Sequence, residues 1–258
     1  MNILECHDLT KRYGNVTALD HVNLNIESGR IVGLLGPNGS GKTTLIKIGC
    51  RILQPTSGEI RIAGEQPDTL TKKIVAYLPD RNFLQEWMKV SDVLSFYQDF
   101  FEDFDRSRAE ALLSQLSIDP SMRLKQLSKG NCEKVQLIVT MSRNAKVFFL
   151  DEPIAGVDPA ARDYILKTIL ASYNQEALIL ISTHLIADVE NILDEAVFLK
   201  QGQIFLHKST DEIRQKTGKS VDEYAQSGKT ERLFRFIGAP FRFSGTLVKE
   251  TGSAYSCH

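Results

Sequence analysis

IVGLLGPNGSGKTTLIKI, residues 31–48, decides the reading of this chain. Ile31–Leu35 is an unbroken apolar run, as expected of a strand buried on both faces of a parallel sheet. It breaks into Gly36-Pro37-Asn38-Gly39-Ser40-Gly41-Lys42-Thr43, a full match to the G-x-x-x-x-G-K-[ST] pattern, and a helix follows over Thr43–Leu53. The glycines let the backbone curl so that successive N–H groups face a phosphate chain. Lys42 is placed to reach the terminal phosphates, Thr43 offers a hydroxyl to Mg²⁺, and the helix turns its positive end toward the same anion. The nucleotide-binding set read from this stretch is Gly36, Pro37, Asn38, Gly39, Ser40, Gly41, Lys42, Thr43 and Thr44.

Around this loop the chain alternates strand and helix patterns. Residues 2–9 and 22–27 alternate apolar with polar residues, and Gly58–Ala63 follows a Gln-Pro-Thr-Ser-Gly turn, giving a β region at the N-terminal end. Val147–Leu150 (VFFL) and Leu178–Ser182 (LILIS) are further buried strands, separated by a helix over Ala160–Tyr173. Ala196–Leu199 and Gln203–Leu206 around Gly202 predict a hairpin. The fold class is therefore α/β, a phosphate-loop core with a mostly parallel sheet whose site lies at the strands' carboxyl ends. Residues 81–140 differ: Ser91 is expected to cap a helix carrying Val93, Tyr97, Phe100, Phe101 and Phe104, and a second helix covers Ala109–Leu116. They read as a helical subdomain inserted in the core. One domain over 1–220 is expected, with 221–258 an appendage lacking clear periodicity.

Asp151 and Glu152 follow VFFL, so both carboxylates leave a strand at the sheet edge beside the phosphate loop. Asp151 is placed to hold Mg²⁺ through its water shell, and Glu152 to take a proton from an attacking water. Loop and acid pair together point to hydrolysis.

Composition narrows the class. The chain has 258 residues, a net charge of −1 and 42% apolar residues, which gives no global reason to expect nucleic acid as a partner. Five histidines and the scattered acids show no metal-ligand spacing. Cys6, Cys50, Cys132 and Cys257 form no disulfide pattern, which fits a reducing cytosol. MNILECHDLTKRYG lacks the apolar core of a signal peptide, and no apolar run approaches the roughly 18 residues that cross a bilayer. Work at a membrane would then need another chain to span it.

GPNGSGKT, LSKGN (127–131), VFFLDEP, AGVD (155–158) and ISTH (181–184), in that order, resemble the nucleotide-binding subunit of an ATP-binding-cassette (ABC) transporter over roughly residues 2–220. The resemblance implies ATP and Mg²⁺ as ligands and a dimer whose two sites are each completed by the other chain. It implies that Tyr13 stacks on adenine, where a strand-end tyrosine could instead pack on the sheet. Ser128 and Gly130 would contact the γ-phosphate held by the partner subunit. Asp158 would link the two sites, or else simply cap the helix that starts beside it, and His184 would sense the γ-phosphate. Lys42, Glu152 and His184 form the catalytic set, and Thr43, Asp151 and Asp80 the metal set. The one-cassette layout looks export-type, peripheral on the cytoplasmic face of the membrane, driving a separate membrane-spanning subunit through a surface at 80–105 that includes Trp87 and Met88. Two other classes stay open: a soluble cassette acting on ribosomes or DNA, and a degenerate ATP-binding subunit of a heterodimer.

Three positions depart from the family pattern. Lys129 stands where glycine is usual, and either adds a cationic contact to the partner's phosphates or points to solvent. Its charge in a first helical turn opposes the helix dipole by roughly 0.3–1 kcal/mol. Asn131 replaces glutamine. Asp80, in VAYLPDRNF, replaces a glutamine that meets Mg²⁺; it faces the metal through a water, or pairs with Arg81 or a partner. Cys132 reads as a small buried apolar residue, or as a thiol whose labelling blocks the closed dimer.

Overall fold

Two sheets meet over the helix that follows the phosphate loop. The computed structural model describes residues 1–155, 159–171, 174 and 176–226. Strands β1 (Asn2–Tyr13) and β2 (Val16–Glu27) form a long antiparallel hairpin, longer than the alternation predicts because both run on past their regular pattern through bulged registers. Strand β3 (Arg30–Leu35) enters the phosphate loop, and helix α1 (Lys42–Gly49) leaves it. α1 stops short of the expected Leu53 because Arg51 turns left-handed (φ 52°), which a continuing helix does not permit. Strand β4 (Ser57–Ile62) pairs with β1 to complete a three-stranded antiparallel sheet, order β2-β1-β4.

A short helix α2 (Thr71–Ile74) leads into β5 (Val75–Leu78), an edge strand that the sequence reading missed; four residues are too few for a period to register. The helical insertion follows: α3 (Val90–Phe100), α4 (Arg106–Gln115) and α5 (Lys129–Met141). Ser91 lies inside α3 and does not cap it; the Asp92 carboxylate reaches back to accept the Lys89 N–H at 2.9 Å. Phe101 and Phe104 pack into the subdomain's core beyond the helix end. Met88 turns inward too, whereas Trp87, Phe96 and Phe100 are exposed.

The main sheet is then completed by β6 (Val147–Asp151), α6 (Pro159–Ala171), β7 (Leu178–Thr183), α7 (Ile186–Val189), β8 (Glu195–Lys200) and β9 (Gln203–Ser209). Its order is β5-β6-β7-β3-β8-β9, parallel except for the β8–β9 hairpin. Helices α8 (Thr210–Thr217) and α9 (Val221–Gln226) follow. α9 lies past residue 220, where the sequence places the start of an appendage; Val221 is fully buried and Tyr224 packs in the cluster under the main sheet. Residues 227–258 lie outside the described ones.

Register, more than any single residue, builds the site. Leu35 pairs with Thr183, and Asp151 with Ser182, so β3, β6 and β7 end at one level. Gly36, Glu152 and His184 therefore emerge together at the carboxyl edge. In α/β sheets that edge is where ligands bind.

Candidate functional site

The phosphate loop is held in shape by backbone from distant parts of the chain. A Cβ on Gly36 would sit 2.1 Å from the Leu199 carbonyl oxygen, and one on Gly41 (φ 109°) 2.4 Å from that of Ala18. Only glycine allows both approaches. The Gly202 N–H donates to Ser40 O at 3.0 Å, which fixes the β8–β9 turn beneath the loop. Pro37, Asn38 and Gly39 form its exposed crown, while Ser40 and Lys42 are buried.

Lys42, 5% exposed, opens α1. A cation there works against the helix dipole unless an anion faces it. Its Nζ donates to the carbonyls of Gly36 (2.8 Å) and Pro37 (3.2 Å), and lies 3.5 Å from Glu152 Oε1. The other Glu152 oxygen, Oε2, lies 3.0 Å from His184 Nδ1. Glu152 takes a left-handed backbone (φ 51°), stabilised as its N–H donates to Ser182 O at 3.0 Å. Such a conformation in a non-glycine residue costs of order 1–3 kcal/mol and is held only by its surroundings.

Asp151 is fully buried. Its Oδ1 accepts from Thr43 Oγ1 at 3.1 Å and from the Ser182 hydroxyl. Its Oδ2 is buried and, among the described residues, has no hydrogen-bond partner; the same holds for Ser40 Oγ. A carboxylate oxygen left bare costs several times an ordinary hydrogen bond, so the pocket is built for a further donor or a cation. Burial pushes the Asp151 carboxyl above the usual carboxylate range, with the hydrogen bonds from Ser182 and Thr43 opposing it, and the charges of Asp80 and Glu152 adding to the rise. Ser182 is the residue the sequence reading missed here. In the sequence it is only the polar residue that ends LILIS; the β6–β7 register that sets it beside Asp151 appears in the fold.

The remaining sequence candidates fall at three places. Tyr13, half-exposed, ends the β1 strand opposite Val16, with the Lys11 ammonium 5.2 Å from its ring centre. Thr44 lies half-buried in the first turn of α1. Asp80 follows β5 at the same edge, exposed, its Oδ2 4.0 Å from Arg81 Nε. Ser128 caps α5, its oxygen accepting the Asn131 N–H at 3.2 Å, and a Cβ on Gly130 would meet open space. The exposed Lys129 ammonium lies 3.8 Å from Glu133. The Cys132 S–H donates to the Leu124 carbonyl, Sγ to oxygen 3.2 Å. Asp158 lies outside the described residues. A cavity of about 500 Å³ separates the Asp80 loop and α5 from Glu152 and Pro153. No helix among the described residues is long and apolar enough to cross a membrane.

Comparisons with known proteins agree with this layout. The family profile described as ABC transporter matches residues 19–155. An uncharacterized ABC transporter ATP-binding protein, MJ1023 of Methanocaldococcus jannaschii, is 31% identical over 232 residues, covering 88% of this chain and 84% of its own. The lantibiotic transport ATP-binding protein SrtF of Streptococcus pyogenes is 29% identical, covering 81% of this chain and 92% of its own. The solved structure of an ATP-binding subunit of an ABC transporter superposes with a TM-score of 0.78 at 28% identity, over 87% of this chain and 98% of that one. Site edge, insertion and ancestry thus converge: this chain belongs to the ABC transporter family, among its ATP-binding subunits.

Proposed function

We propose that this chain is the ATP-hydrolysing subunit of an export-type transporter, closing with a second ATP-binding subunit around two Mg·ATP and driving a separate membrane-spanning subunit from the cytoplasmic face. The observation that carries the reading is the meeting of Lys42, Asp151, Glu152 and His184 at one sheet edge. The relative described as a lantibiotic transport ATP-binding protein supports a role in transport.

Asp151 Oδ2 and the Thr43 hydroxyl would hold Mg²⁺, with Asp80 facing it; such sites commonly combine one or two carboxylates with substrate phosphates. When bound, the ion offsets the charge on the terminal phosphates. The protein's own steps follow from its geometry. Lys42 leaves the Gly36 and Pro37 carbonyls and donates to phosphate oxygens, while the loop N–H groups and the α1 terminus receive the chain of phosphates. Glu152 accepts the proton of the attacking water, and His184 keeps that carboxylate in place. Tyr13 offers its exposed ring to the base. Ser128 caps α5 through its oxygen, so its O–H stays available to a phosphate of the partner's nucleotide; the link between the two sites is the role that the family resemblance gives Asp158.

The test is the oligomeric state of the Glu152→Gln chain at saturating ATP and millimolar Mg²⁺, by light scattering. A nucleotide-dependent dimer is expected. A strictly monomeric chain, or one without affinity for ATP, overturns the proposal.

A further inference from the structure

Helix α5 belongs to two cores at once. Val135, Ile138 and Val139 pack in the helical subdomain, whereas Leu137 and Met141 pack under the main sheet. Gln136 lies among them, 3% exposed. An amide buried that deeply needs a partner. Its Oε1 accepts the backbone N–H of Phe83 at 3.1 Å, three residues past Asp80. Among the described residues, this is the hydrogen bond that ties residues 80–83 to another element; the bond from Leu84 N–H to Asn82 Oδ1 is local. The start of β5, the strand before this loop, is tied to the residues just past α5. Arg143 donates to the carbonyls of Val75 (2.7 Å) and Lys73 (2.6 Å) and grips Asp103. The start of β5 is thus held from just beyond α5, and the loop that follows its end is held by α5 itself. Beyond Asp80 lies the cavity of about 500 Å³ that reaches Glu152, so the loop has room to shift if released.

We infer that Gln136 is a positioning residue of the hydrolytic site: by holding the Phe83 amide, it makes the Asp80 loop and the Ser128 helix move as one body. Where Ser128 engages the partner's nucleotide, the same movement sets the distance of Asp80 from its own chain's metal. Gln136 lies outside every motif that carries the family resemblance, and the inference rests on the function proposed above.

The experiment uses the full chain. Gln136→Met keeps the length of the side chain and deletes the acceptor; Gln136→Glu restores an acceptor. Without nucleotide, hydrogen exchange at the Phe83 amide is expected to quicken roughly tenfold in Gln136→Met and to return toward the parental rate in Gln136→Glu. The Mg²⁺ concentration that half-saturates ATP hydrolysis is expected to rise about fivefold in Gln136→Met, and by no more when Asp80→Asn is added, because both act through one position. Faster Phe83 exchange with an unchanged Mg²⁺ requirement overturns the inference, as do additive effects of the two substitutions. If Gln136→Met does not fold, Gln136→Asn, too short to reach Phe83, takes its place with the same expectations. Binding of a fluorescent ATP analogue to the parental chain separates the two readings: no binding there sinks the proposed function, whereas binding with no change in Gln136→Met sinks only this inference.

Discussion

Lys42 and Glu152 face each other across the phosphate loop at 3.5 Å, both nearly buried. The two groups that would act on a γ-phosphate thus hold each other in place without one. Nucleotide must draw the ammonium away before it can bind fully. Glu152→Gln removes that competitor as well as the base. We expect ATP affinity to tighten about three- to fivefold, the equivalent of up to about 1 kcal/mol, while turnover falls by roughly 10²–10⁴. Equilibrium binding and phosphate release on the same preparation check both. Weaker binding would show that the pair assists nucleotide entry.

Asp151 gives a pH-dependent expectation. Its folded pKa is raised, chiefly by burial, so the stability tied to its protonated form is present below the ordinary carboxylate range and is lost as pH rises through the raised value. Asp151→Asn removes that loss. Without nucleotide, the thermal midpoint at pH 7.5 should rise by roughly 2–4 °C, the shift that about 1 kcal/mol gives in a domain of this size. The gain should shrink as pH falls toward 4, and Mg²⁺-dependent hydrolysis should disappear. Calorimetry across pH 4–8 measures the trend.

Gly130 separates folding from docking. It lies in the first turn of α5, and a Cβ there meets open space. Gly130→Ala should therefore stabilise the isolated chain by up to about 1 kcal/mol through helix propensity. The added methyl should weaken nucleotide-dependent dimerisation in the Glu152→Gln background. Denaturant unfolding and sedimentation read the two effects separately. Equal dimerisation would remove this face from the interface.

Lys129 points to solvent in the single chain, its ammonium near Glu133. If it reaches the partner's phosphates on closure, Lys129→Gly should lower the salt sensitivity of dimerisation. An unchanged salt slope assigns the residue to the surface pair alone.

Cys132 should be alkylated more slowly than a free thiol, since burial, then Glu133 and Glu86, raise its pKa. It should still outpace Cys6, which burial pushes up to about 12, and Cys50, pushed up by burial as well. Peptide mass spectrometry after iodoacetamide ranks the three. Dimerisation of the Glu152→Gln chain should be lost once Cys132 is labelled.

Much of this was legible in the sequence because the chemistry is local there. GPNGSGKT and the acid pair after VFFL are each written in a few consecutive residues, and the buried strands announce themselves as apolar runs. Contacts between distant segments were not legible. Ser182 matters because the β6–β7 register sets it beside Asp151, and Gln136 because α5 lies against the end of β5. Ser91 misled for a related reason: serine and Asp92 both suit a helix start, and only the backbone geometry shows that Asp92 reaches back. The outward turn of Phe100 was hidden because an aromatic stripe at helical spacing looks the same from either side.

The loop's dependence on Ala18, Leu199 and Gly202 bears on how the protein matures. During synthesis the glycine-rich segment leaves the ribosome long before the β8–β9 turn that props it from below. A nascent chain halted before residue 195 would carry the whole nucleotide motif and still lack its floor. Affinity for ATP should therefore arrive late and abruptly, once the last strands dock, which shields half-made chains from cellular nucleotide.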